Sequence, residues 1–155
     1  MIWTQPKTWT NEPLVAADLN THLRDNLNAL KDLPSYSYQS ASDYLTSSQG
    51  PVFVDSVNMN KTIPLYSTSN MLVGFNGTVS NTGTSLIYFR LLHNGVIIQQ
   101  SMVRNAEHGD FQNVTMEVLL ENVPAGTQTF AVQWWVQNYA GVLYGGKNQF
   151  YVQGV

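Results

Sequence analysis

The 155-residue chain contains no cysteine, so disulfides, thiolate metal sites and a cysteine nucleophile are all excluded. Charge is scarce as well. Asp, Glu, Lys and Arg make up 11% of the residues, against about a quarter in an ordinary globular domain, and Ser, Thr, Asn, Gln and aromatics take their surface positions. With Lys and Arg totalling 7 and a formal net charge of -3, the chain is poorly equipped to neutralise phosphates, the main source of nucleic-acid affinity. No nucleic-acid partner is expected. The first residues lack a basic run followed by an apolar one, and no stretch approaches the ~18 apolar residues of a membrane span. The expectation is a soluble protein, not exported by a signal peptide and with no membrane partner. The sequons at Asn60, Asn76 and Asn113 then read as ordinary members of an Asn- and Thr-rich chain.

Catalytic signals are also missing. Chemistry at neutral pH needs a nucleophile beside a base, a metal with an open position, or carboxylates sharing a pocket. His22, His93 and His108 lack the i, i+4 pairing of a helical zinc motif. Only Glu107 and His108-Gly109-Asp110 form a loop cluster that a metal might use, and solvated charge is the better reading. Glu117 and Glu121 fall on the outer face of a strand, and Gly145-Gly146 reads as part of a β-turn, not a phosphate loop. The expectation is no enzyme, no cofactor and no metal.

What the sequence does contain divides into three parts. Residues 1–34 hold an arm with Trp3, Pro6, Trp9 and Pro13, then a helical spacing of Leu19, Leu23, Leu27 and Leu30 joined by Val15, Ala16 and Leu33. The two tryptophans either fold back on the chain's own core or enter a partner surface. Pro34 closes the helix, since proline cannot continue one. A lone helix of this length is marginal in water, so its leucine face needs a partner. Leu19, Leu23, Asn26 and Leu30 also step by four, three and four. That places Asn26 at a coiled-coil core position, where asparagine fixes register and oligomer state. Docking of the same stripe on the β domain is the competing reading.

Residues 35–50 are polar and Ser-rich, as in a linker or a loose first strand. Residues 51–155 carry strand candidates at 52–57, 60–66, 71–79, 85–92, 96–103, 111–120, 127–137 and 148–153. Asn94-Gly95 is the dipeptide that a tight type I′ hairpin asks for, and Pro124-Ala125-Gly126 marks another turn. The fold class is mainly β: an antiparallel β-sandwich or jelly roll preceded by an extended N-terminal arm and one short α-helix. Alternation sends Phe130, Val132, Trp134 and Val136 to one face and Trp135 to the other. It likewise sends Ile87, Phe89 and Leu91 inward against Tyr88, Arg90 and Leu92, and Val114, Met116, Val118 and Leu120 inward against Leu119. Outer faces carrying Trp135, Tyr88, Leu92 and Leu119 are unusually apolar, which points to a partner surface. A homo-oligomer interface, a ligand site and cover by the N-terminal segment are the three explanations.

Trp9, Ala16, Ala17, Leu19, Asn20, Leu23, Arg24, Asp25, Asn26, Leu27 and Leu30 resemble the N-terminal segment of virion structural proteins of tailed bacteriophages. There, a Trp-containing arm leads into a helix reading roughly Ala-Ala-x-Leu-Asn-x-x-Leu-Arg-Asp-Asn-Leu. Val15 departs from the pattern, standing where the family usually places Thr or Ser as an N-cap. "VPAGTQTFAVQWWV" and "NQFYVQGV" are similar to strands of jelly-roll head-fibre, decoration and tail-fibre domains, although trimeric C1q- and TNF-type jelly rolls share such patterns. The resemblance implies an accessory protein on the virion surface, a homo-oligomer and most simply a trimer, attached to the major capsid protein or another virion protein. Trp3, Trp9, Leu19, Leu23, Arg24, Asp25, Leu27 and Leu30 would anchor it, with Asn26 setting register. One alternative is a tail-fibre or receptor-binding protein that meets a host surface glycan or protein through Trp135, Tyr88, Tyr139 and Tyr144. Another is a free carbohydrate-binding or C1q-like module.

Overall fold

The computed structural model describes residues 33–105 and 108–155, together with Ala16, Ala17, Asn20, Leu23, Arg24 and Leu27. Those six N-terminal residues are helical, and every one of them is exposed. From Ser35 onward the chain is β: β1 (Ser35–Tyr38), β2 (Tyr44–Thr46), β3 (Val52–Phe53), β4 (Asn60–Leu65), β5 (Ser69–Asn81), β6 (Ser85–His93), β7 (Val96–Asn105), β8 (Gln112–Val123), β9 (Gly126–Val136) and β10 (Gly141–Gly154). The segment read as a linker or loose first strand thus contributes β1 and β2 to a sheet, both antiparallel to β10.

Two five-stranded antiparallel sheets result. In the first, β1 and β2 lie on one side of β10, followed by β5 and β8; in the second, β3 and β4 lie beside β9, followed by β6 and β7. Counting β1/β2 and β3/β4 as one interrupted strand each leaves eight strands, in which first pairs with eighth, second with seventh, third with sixth and fourth with fifth. That is one long antiparallel hairpin rolled into a double sheet, the jelly-roll arrangement. Its tip is Asn94-Gly95, where φ of 49° and 80° gives the two left-handed residues that a type I′ turn requires. Pro64 is tolerated in β4 because that strand lies at a sheet edge, where one missing N–H breaks no ladder.

The inner faces close one core. Phe75, Phe89, Phe130, Trp134 and Phe150 are fully buried with Met59, Met71, Ile87, Leu91 and Leu143 among them. Phe89 stacks between Phe75 at 5.4 Å and Trp134 at 5.9 Å, so one aromatic column crosses from sheet to sheet. At the open edge, Tyr36, Tyr38 and Tyr44 from the first sheet pack against this core. Tyr36 donates to the Asn58 carbonyl at 2.9 Å and Tyr44 to Asp55 Oδ2 at 2.6 Å, tying β1 and β2 to the β3–β4 loop.

Gly145-Gly146 is not a turn between strands. It lies inside β10, at an irregularity between Leu143 and Asn148 that admits the β1–β2 connection. Gly145 N–H donates to Asp43 Oδ1 at 2.7 Å and Gly146 N–H to the Ser40 carbonyl at 2.6 Å. A Cβ at Gly145 would stand 2.4 Å from the Ala41 carbonyl oxygen, so only glycine fits under that loop.

Candidate functional site

Strand alternation gives the second sheet an outer face rich in apolar side chains, and lateral register arranges it in three rows. In the first, Met102, Tyr88 and Trp135 stand side by side across β7, β6 and β9. The second runs Gln100, Arg90, Gln133 and Phe53; the third runs Ile97, Leu92, Ala131 and Asn60. Met102 is 61% exposed, Ile97 47% and Phe53 42%. The outer face of the first sheet contrasts with this. It presents Asn76, Thr78, Asn113, Thr115 and Gln149, with Leu45 and Leu119 as its exposed leucines.

The aromatic pair at the centre is tightly organised. Tyr88 and Trp135 stack with ring centroids 5.0 Å apart and planes at 8°. The Arg90 guanidinium lies 5.6 Å from the Trp135 ring, and its Nε and Nη2 donate to Gln133 Oε1 at 2.8 and 2.6 Å. A β-branched or charged residue in place of Trp135 would remove both the stacking and the cation–π contact.

Of the residues singled out in the sequence, this face brings together Tyr88 and Trp135 and leaves the other two aromatics elsewhere. Tyr139 sits in the β9–β10 turn with φ of 62°, its ring over Gly83. Tyr144 lies on the first sheet, its hydroxyl 2.8 Å from Ser80 Oγ and its ring 5.1 Å from Phe111. Leu92, expected on the outer face, is on that face but buried between its neighbours. Leu23, Arg24 and Leu27 are helical, with Leu23 55% and Leu27 60% exposed. Trp3, Trp9, Leu19, Asp25, Asn26 and Leu30 lie outside the described residues.

Reading the sequence strand by strand missed Phe53, Ile97 and Met102 as members of this face. Strict alternation from the Asn94-Gly95 turn sets Ile97 and Met102 on opposite faces. An irregularity opposite Leu91 and Leu92 inserts one residue into β7, Ile98, and rephases the strand so that both point outward.

Two acids, Asp55 and Glu117, accept hydrogen bonds from tyrosine hydroxyls. Burial alone would raise the Asp55 pKa. Hydrogen bonds from the Tyr44 hydroxyl, the Asn58 N–H and side-chain amide and the Val57 N–H outweigh it and bring the value to about 2. Those four donors, at 2.6 to 3.0 Å, occupy the carboxylate's acceptor positions and leave none for a metal or a substrate proton. Burial first, then the bond to Asp55, pushes the Tyr44 hydroxyl well above the ordinary phenol range. Burial and then the hydrogen bond to Glu117 push Tyr151 up to about 12, so both tyrosines keep their protons at neutral pH. His93 stacks on Phe130 at 4.9 Å, with Nε2 2.8 Å from Gln128 Oε1. Among the described residues no three of His, Asp and Glu gather as metal ligands; Glu107 lies outside them. No described helix is long and apolar enough to cross a membrane.

No protein-family model matches the chain, and no curated protein matches it in sequence. Among solved structures it is similar to a chain of the T13 IBDV viral particle, at 13% identity and a TM-score of 0.42, covering 79% of this chain. The present chain spans 35% of the length of that one.

Proposed function

We propose that this chain is a non-enzymatic structural protein of a tailed-phage virion, a trimeric capsid decoration or head-fibre protein bound through residues 1–34. The observation that carries this reading is the exposure of Leu23 and Leu27 on a helical segment beside a sandwich whose core is complete without them. A short amphipathic helix has little stability of its own, so the exposed Leu23 and Leu27 call for a partner beyond the sandwich. The resemblance of residues 9–30 to virion attachment segments names that partner as a particle protein, and the Asn26 position gives the stripe a means of choosing its copy number.

Removal of residues 1–32 tests this directly. The truncated chain is expected to keep a cooperative unfolding transition and to lose binding to particles; a truncated chain that still decorates particles sinks the attachment role. Native mass of the full chain is expected to be that of a trimer.

A second reading, a receptor-binding protein of the tail, is favoured by the Met102–Tyr88–Trp135 row and the aromatic stacking within it. Trp135→Ala separates the two uses of that face. Loss of binding to host cells with an unchanged oligomer marks a ligand surface, whereas loss of the oligomer marks a subunit contact.

A further inference from the structure

The outer face of the second sheet is hollowed on one side of the aromatic pair. Phe53, Asn60, Arg90, Leu92, Thr129 and Gln133 line a cavity of about 570 Å³, closed at one end by the Asn94-Gly95 turn. That volume lies within the roughly 300–1,000 Å³ of small-molecule sites. Arg90 is the one charged residue among those lining it. Two of its five N–H groups are spent on Gln133 Oε1, and its Cζ lies over the Trp135 ring, 5.6 Å from the centroid. Its remaining N–H groups, on Nη1 and Nη2, have neither a hydrogen bond nor a carboxylate among the described residues. An arginine held in this way presents a fixed, unneutralised fork, the geometry suited to a carboxylate. Beside it, Gln133 Nε2 and the Asn60 amide line the same cavity with no hydrogen bond among the described residues, and the half-exposed Phe53 ring forms an apolar wall.

We propose that this cavity binds the acidic end of a saccharide, a sugar ring bearing a carboxylate. The carboxylate meets the free end of Arg90, ring hydroxyls meet Gln133 and Asn60, and the C–H face of the sugar lies on Phe53. A neutral sugar leaves the arginine without a counter-charge, and a simple anion leaves the amides and the ring unused. The inference rests on the outer face of the second sheet being a contact surface; it is independent of attachment through residues 1–34.

Calorimetric titration of the full chain with glucuronate, glucuronamide, glucose and acetate tests it. Glucuronate is expected to bind saturably and at least about tenfold more tightly than the other three, and Arg90→Gln and Phe53→Ala are each expected to weaken it by about tenfold or more. Should Arg90→Gln fail to fold, Asn60→Ala replaces it, since no hydrogen bond of the described residues depends on that amide. Absence of glucuronate binding up to roughly 100 mM overturns the proposal. So does equal binding of glucuronamide or acetate, or an affinity unchanged in the folded variants. None of these outcomes touches particle binding by the truncated chain, so failure of one reading is distinguishable from failure of the other.

Discussion

Asp55 illustrates how a single side chain can fasten two sheets. It collects donors from β2 and from its own loop, and its carboxyl is held at about 2 against 3.8 for the free group. A group whose pKa is lowered on folding binds fewer protons in the folded state, so its contribution is complete above about pH 4 and is lost as pH falls toward 2. Urea midpoints measured at pH 5 and pH 2.5 are expected to fall further for the natural chain than for Asp55→Asn, in which this linkage is removed. Side chains on a regular strand were legible in advance: alternation alone separates buried Trp134 from half-exposed Trp135. Asp55 was not, because its Tyr44 donor arrives only when β2 crosses to the β3–β4 loop, while Val57 and Asn58 are local.

The described strands carry three departures from regularity, and the two in β10 and β7 matter more than their length suggests. The Gly145-Gly146 irregularity in β10 seats the β1–β2 connection against backbone, so Gly145→Ala meets a carbonyl that cannot rotate away. It is expected to cost about 1–3 kcal/mol in denaturant unfolding, while Gly50→Ala, with no atom within 4 Å of the new methyl, stays within about 0.5 kcal/mol. The extra residue in β7 acts on the other sheet, turning Ile97 and Met102 to the same side. Strand positions and the Asn94-Gly95 turn were readable because periodicity and turn chemistry are local. These two sites were not, since a bulge is defined against a partner strand. The polar run at 35–50 hid β1 and β2 for a related reason: as edge strands they bury only alternate tyrosines, and the serines between them resemble a linker.

For the whole molecule, the rolled hairpin separates two ends. Leu33-Pro34 and Gly154 meet at one, where Gly154 N–H donates to the Pro34 carbonyl at 2.8 Å and Val155 N–H to the Asn70 carbonyl at 3.0 Å. The Asn94-Gly95 and Pro124-Ala125 turns share that end, since β4 finishes opposite the start of β9 and β6 finishes opposite Phe130. Thr82 N–H to the Ala140 carbonyl at 3.0 Å and Gly109 N–H to the Asn81 carbonyl at 3.1 Å gather the β5–β6, β9–β10 and β7–β8 connections at the opposite one. The chain therefore enters the sandwich and leaves it on one side. If residues 1–34 hold the particle, a fusion after Val155 is expected to emerge next to the attachment and hinder it. A peptide inserted at 82–84 is expected to be reached by antibody on intact particles, and the same peptide at Asn94-Gly95 to be masked. The sandwich thus has a polarity that a designer of displayed antigens would treat as a front and a back.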